Sequence, residues 1–170
     1  MGVSKTYLFA SRIVAAATPV FEEVIAVQRA GGEPAAIRTI FEEEHQDEAA
    51  IFGVARALDD AAKSVAFILA VDYPLVTTDL LQYLRDERKV PVWNGIVQPL
   101  CAVWRHEQLA AIGAAIASRR YDLQALIEQE IIPEPVLRAR FSGEPLLNVN
   151  TPAELEAAER VHGKGFLPPR

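Results

Sequence analysis

The chain has 170 residues, 51% of them apolar and 24% charged, and a formal net charge of −6. That length predicts one domain, residues 1–170, with a sizeable core, and the acidic balance argues against a nucleic-acid-binding face. Cys101 is the single cysteine, so no disulfide forms within the chain, which suits a reducing cytoplasm, and the opening MGVSKTYLFASRIV is too poor in apolar residues to be a signal peptide or a membrane span.

In chain order, Leu8, Phe9, Ile13 and Val14 lie among small residues ahead of Pro19. They predict an amphipathic helix over residues 6–19 that stops near Thr18. Val24–Val27 reads as a short buried strand, the Gly31-Gly32-Glu33-Pro34 stretch as a turn, and Ile37–Phe41 as a second short strand. The acidic stretch Glu42–Glu48 reads as a loop, and Ala49–Ala62, which contains Gly53, as a helix. Val65–Val71 is a continuous apolar run, the pattern of a strand covered on both faces. Thr77 or Thr78 then caps a helix over LLQYLRDER. Val90–Asn94 and Gln98–Trp104 read as strands separated by a turn at Asn94-Gly95, followed by helices near Glu107–Ser118 and Leu123–Glu130. In NVNTPAELEAAERV, Thr151 is the expected N-cap, Pro152 the first helical residue and Glu154 the third, the pattern of a capping box.

Strands alternating with helices predict a Rossmann-like, three-layer α/β/α sandwich around a mostly parallel sheet. Ligands in such folds bind beyond the carboxyl ends of the strands. Asp72 follows the apolar run directly and precedes Pro74. It is a candidate Mg²⁺ ligand, because Mg²⁺ favours one or two carboxylates plus substrate oxygens; a turn or helix-capping Asp is the equal alternative. Lys5 stands before the first helix, where a Lys can meet a phosphate, although a solvated surface Lys is the commoner case. Asn148 and Asn150 precede a helix and either bond the turn backbone or face a polar ligand. The Glu42–Glu48 run with His45 lacks a fixed metal-ligand spacing and reads first as a solvated loop. Gly31-Gly32 lacks the Lys-Ser/Thr of a phosphate loop, and Cys101 reads as a small core residue.

Taken together, MGVSK (1–5), IFEEEHQDEAAIFG (40–53), LAVDYPLVT (69–77), QPLCAVWR (98–105) and NVNTPAEL (148–155) resemble, in order and spacing, the MobA-like nucleotidyltransferases, best known as molybdenum cofactor guanylyltransferases. The resemblance implies transfer of a nucleoside monophosphate from GTP to molybdopterin, with pyrophosphate released and Mg²⁺ as cofactor. It implies catalysis by Asp72 and Lys5, metal binding by Asp72, and nucleotide contact by Lys5 and Asp72 at the phosphates and by Glu42 and Gly53. It sets Asn148 and Asn150 on the acceptor side, and it allows contact with other proteins of the molybdenum cofactor pathway. Ser4 stands where the family has Asp, and Ala49-Ala50 where Gly-Pro is usual. A cytidylyltransferase or related NTP transferase, or a non-catalytic nucleotide-binding-fold protein, is the alternative. The family's first strand and its LAGGxSxR loop have no counterpart in the sequence, so Met1 is expected to correspond to the Met of the family's R-M-G.

Overall fold

Helix α1 (Lys5–Ala17) turns one face inward through Phe9, Ile13, Ala16 and Ala17. It closes where Thr18 donates both its N–H and its hydroxyl to the Val14 carbonyl, at 2.9 and 2.7 Å, one residue before Pro19, whose missing N–H cannot continue the ladder. The computed structural model describes residues 5–32, 35–61 and 64–162, and α1 is its first element. The expected glycine turn at 31–34 and the expected end of the second helix at Ala62 therefore lie partly outside the described residues.

Strands β1 (Ala26–Gln28) and β2 (Thr39–Phe41) pair in parallel, Val27 opposite Ile40. The first strand is thus shifted from the expected Val24–Val27, and its residues are half-buried rather than buried: a three-residue strand paired with another of the same length covers little of itself. Helix α2 (Ala50–Asp60) follows the acidic loop and buries Ile51, Phe52, Val54, Ala57 and Leu58.

β3 (Val65–Leu69) runs antiparallel to β6 (Cys101–Arg105), Leu69 opposite Cys101. Side chains of a strand alternate between its faces, and the two faces meet different cores. Phe67 and Leu69 pack with Ile13, Leu80, Leu81, Leu84, Trp93 and Cys101. Ala66 and Ile68 pack on the opposite side with Ile51, Leu58, Trp104 and Ile112. Helices α1, α3 (Thr78–Glu87) and α5 (Glu134–Arg140) cover the first face, and α2 and α4 (Leu109–Ala117) the second. This is the expected three-layer α/β/α arrangement. β3 itself stays half-buried, and Val71, expected at its end, lies beyond it and is exposed.

Thr77 caps α3, its hydroxyl accepting the Leu80 N–H at 3.3 Å. β4 (Val90–Trp93) turns into β5 (Ile96–Val97) through Asn94 and Gly95, both with positive φ (51° and 73°), the two-residue turn that matches strand twist and favours Asn-Gly. β4 also pairs in parallel with β7 (Ile131–Ile132). The strand expected over Gln98–Trp104 is shortened, because the Cys101 N–H turns back to the Gln98 carbonyl at 3.0 Å before β6 begins. Among the described residues the ladders thus comprise two parallel and two antiparallel pairs.

The expected helix over Leu123–Glu130 is not formed. Only a 3-10 turn at Gln124–Leu126 is present. Tertiary pairing takes the rest: Gln129 Nε2 donates to the Val103 carbonyl at 2.6 Å, and the Glu130 carbonyl accepts the Val90 N–H at 2.9 Å, drawing the chain along β4 into β7. Helix α6 (Pro152–His162) packs back on α1 through Phe9, Val149 and Leu155, and Arg12 pairs with Glu159 at 2.5 Å.

Candidate functional site

At the end of β3 the backbone turns at Val71-Asp72, and segment 147–150 arrives from far along the chain. The Val149 N–H donates to the Asp72 carbonyl at 2.8 Å. Asn148 Nδ2 donates to Asp72 Oδ2 at 2.7 Å, and Asn150 Nδ2 donates to Asn148 Oδ1 at 2.8 Å. The chain of bonds continues into α6: the Asn150 N–H donates to Glu154 Oε2 at 2.7 Å, and the Glu154 N–H to Thr151 Oγ1 at 3.2 Å. Thr151 and Glu154 therefore act as the expected cap pair, with Glu154 reaching one residue further back than in the usual box. Three of the residues singled out from the sequence, Asp72, Asn148 and Asn150, are brought together. Beside them a shallow groove of about 400 Å³ runs along α6, apolar through Leu147, Val149, Ala158 and Val161 and polar at Asn148 and Glu154.

On its other side Asp72 adjoins Tyr73, which is buried. The Tyr73 hydroxyl donates to Gln98 Oε1 at 2.6 Å, and Gln98 Nε2 donates to the carbonyls of Trp93 and Ile96 at 3.2 and 3.0 Å. Burial, reinforced by the negative charge of Asp72, pushes the Tyr73 phenol well above the ordinary tyrosine value. Burial likewise pushes the Cys101 thiol up, so Cys101 is the inert core residue its apolar surroundings predict. The Tyr73–Gln98 bond is invisible to local pattern reading, since it joins residues 25 apart; its one sequence signal is the Gln98-Pro99 pair within the quoted motif set.

Glu42 stands apart from this cluster. It follows β2, its N–H donating to the Gln28 carbonyl at 2.8 Å. It lines a cleft of about 250 Å³ bounded by residues between Arg29 and Phe52, among them Glu43, Glu44, Asp47 and Glu48. His45 stacks on Phe52 with ring centroids 3.8 Å apart. Tyr121 leans on the Phe52 ring and donates its hydroxyl to Asp47 Oδ2 at 2.5 Å, a bond that raises the Tyr121 pKa. Arg29 is already paired with Glu48 at 2.7 Å, and that bond raises its pKa further. Gly53 lies inside α2, where an added Cβ would meet only Val27 Cγ1, at 3.9 Å. Lys5 begins α1, but its side chain lies outside the described residues.

Among the described residues no group of three or more His, Cys, Asp or Glu side chains is arranged to hold a metal. The chemistry of Asp72 fits a different kind of site. A single carboxylate flanked by neutral amides can give Mg²⁺ one protein ligand, with phosphate oxygens and water completing the shell. Among the described residues no helix is long and apolar enough to cross a membrane.

The model of the MobA-like NTP transferase domain matches residues 6–134, a stretch that includes Asp72 and stops before Asn148. A Mycobacterium marinum protein named "probable molybdenum cofactor guanylyltransferase" is 32% identical over 111 residues, covering 62% of this chain and 54% of its own length. A Chloroflexus aggregans protein of the same name is 28% identical over 165 residues, 89% of this chain and 79% of its own. The chain thus spans about half the length of the mycobacterial relatives it matches. The crystal structure titled molybdopterin-guanine dinucleotide biosynthesis protein A, from Archaeoglobus fulgidus, has the same fold, with a TM-score of 0.70 at 20% identity over 94% of this chain and 91% of that one. With the family model matched over well more than half of its residues, this chain belongs to the MobA-like NTP transferase domain family.

Proposed function

We propose that the chain is a nucleotidyltransferase that moves a nucleoside monophosphate from GTP to molybdopterin. In this reaction a phosphate oxygen of molybdopterin forms a bond to the α-phosphorus of GTP. The bond from that phosphorus to the bridging oxygen breaks, and pyrophosphate leaves carrying the electron pair. No atom is oxidised or reduced. Such transfers depend on alignment and on neutralising charge. Bound Mg²⁺ supplies that charge to the phosphates.

The observation that carries the reading is the hydrogen bond from Asn148 to Asp72, which joins the two most specific motif segments into one polar site at the end of β3. Asp72 offers its carboxylate to the metal side of the triphosphate. Lys5 is assigned to the phosphates, and Asn148 and Asn150 border the acceptor. Glu42, an acceptor-only carboxylate when ionised, is suited to the ring N–H and amino group of guanine, and Gly53 follows on the same side. The names of the relatives, which specify a molybdenum cofactor guanylyltransferase, support the choice of GTP and molybdopterin. The protein is proposed to act in the cytoplasm.

The test is pyrophosphate release from GTP, CTP and ATP, each with molybdopterin and Mg²⁺. GTP is expected to be the preferred donor, and Asp72→Ala to lower release by about a hundredfold or more. Release that is indifferent to Asp72→Ala removes the assigned mechanism, and a preference for CTP replaces the donor.

A further inference from the structure

The two neighbours of the Asp72 carboxylate are tied in opposite directions. On one side segment 148–150 holds the Asp72 carbonyl and Oδ2. On the other, Tyr73 is anchored by its phenol to Gln98. Gln98 is itself fixed at almost every polar atom. Its N–H donates to the Pro91 carbonyl at 2.9 Å, its carbonyl accepts the Cys101 N–H, and its Nε2 spans the Trp93 and Ile96 carbonyls on either side of the Asn94-Gly95 turn. With two carbonyls facing Nε2, the amide has one possible orientation, Oε1 toward the phenol, and Tyr73 must donate. The bond is 2.6 Å long and its donor residue is 7% exposed. Water therefore competes weakly for it, and its loss leaves a polar atom without a partner.

We infer that Tyr73 and Gln98 are positioning residues, which fix the backbone turn carrying Asp72 against the β4–β5 hairpin so that the carboxylate meets its ligand in one place. The role rests on reading Asp72 as the metal and phosphate residue. Neither Tyr73 nor Gln98 needs to touch the ligand. The ring of Tyr73 belongs to the core cluster that includes Cys101 and Leu80, while its hydroxyl alone carries the tether, so the two contributions can be separated by removing one oxygen atom.

The test uses the full chain and Mn²⁺ as a paramagnetic probe, titrated in the presence of GTP and followed by electron paramagnetic resonance, alongside the melting temperature and the affinity for GTP. Tyr73→Phe keeps the ring in place and is expected to weaken Mn²⁺ binding about tenfold, the effect typical of losing a group that orients a metal-binding carboxylate. GTP affinity is expected to stay within about twofold, and melting within about 4 °C of the parent protein. Gln98→Leu is expected to weaken Mn²⁺ in the same direction, and the double variant no further than the worse single one, because both remove one shared bond. A purely structural role predicts the reverse pattern, lower melting with Mn²⁺ affinity unmoved, and that result overturns the inference. So does unchanged Mn²⁺ binding in Tyr73→Phe beside its loss in Asp72→Asn, which leaves the proposed site standing. An Asp72→Asn protein that binds Mn²⁺ like the parent overturns the site, and the positioning role with it.

Discussion

The polar cluster at Asp72 and the acidic cleft at Phe52 are built on opposite plans. Asp72 is held by partners 76 and, through Tyr73, 25 positions away, each bond with an assigned donor and acceptor. The cleft draws Glu42, Glu43, Glu44, Asp47 and Glu48 from one contiguous run, and among the described residues Arg29 is its only Arg or Lys and is already engaged by Glu48. What holds it is His45 stacked on the Phe52 ring and Tyr121 tilted against that ring, with the Tyr121 hydroxyl donating to Asp47. The difference bears on ligand chemistry. A triphosphate brought to the cleft meets several carboxylates at close range, a repulsion that grows as water is excluded. At Asp72 it meets that carboxylate and, further along the hydrogen-bonded chain, Glu154, the two separated by neutral amides, charges that a single divalent ion offsets. The cleft instead favours a neutral hydrogen-bond donor such as the edge of a base.

The sharpest way to break this contrast is to remove the amide that holds Asp72. Asn148→Ala is expected to lower pyrophosphate release about tenfold or more. Its stability cost is expected to be about 1 kcal/mol, the net worth of a hydrogen bond. Glu42→Gln, made in parallel, is expected to raise the KM for GTP while leaving kcat nearly unchanged. Steady-state kinetics and urea denaturation read both. If Glu42→Gln lowers kcat as far as Asn148→Ala does, the phosphates and the base have been assigned to the wrong regions.

How far the site was legible in the sequence follows the same division. Local rules located Asp72 after a strand, Thr77 or Thr78 and Thr151 as caps, and the Asn94-Gly95 turn, because each depends on neighbours within four residues; the structure selects Thr77. The Asn148 and Asn150 alternatives, turn bonding or ligand, could not be separated locally. In the structure both residues bond within the protein, Asn148 to Asp72 and Asn150 to Asn148, and this does not prevent either from bordering a ligand. The region after Leu123 was misread because its apolar spacing fits a helix, while pairing with β4 draws it into β7. α5 was missed because it is seven residues long and starts around Pro133 and Pro135. Beyond the Gln98-Pro99 pair of the quoted motifs, nothing in the sequence marks Gln98 as the partner of Tyr73, since no local pattern specifies a bond between two loops.

A smaller effect sharpens the description of the cleft. Tyr121 donates to Asp47, and this bond is the first cause of its raised pKa relative to the ordinary 10.0. Above that value the folded protein retains a proton that the unfolded chain has lost, so stability falls as pH rises. The contribution of the bond is complete below the unfolded value and disappears as pH climbs through the folded one. Tyr121→Phe is therefore expected to flatten the decline in melting temperature between about pH 9.5 and about pH 11. Parallel curves for the two proteins would mean that the Tyr121–Asp47 bond does not persist in solution and that Phe52 stacking alone supports the cleft.

The smallest expected effect concerns Gly53, which the family resemblance sets beside the nucleotide. In the structure it occupies an ordinary helical position in α2, and the space where a Cβ would project holds only Val27 Cγ1 at van der Waals distance. Glycine inside a helix loses more backbone freedom on folding than alanine does, so Gly53→Ala is expected to stabilise the protein by about 0.5–1 kcal/mol. The gain should appear as a higher urea midpoint with an unchanged slope. The same variant weighs packing against ligand approach. If the helix lies clear of the ligand, the KM for GTP does not move. If the nucleotide closes against the α2 backbone, the added methyl raises KM while the gain in stability remains, because the methyl then meets the ligand and not the protein. A rise in KM with intact stability would bring the first turn of α2 into the binding surface and join the cleft at Glu42 to the base of the nucleotide.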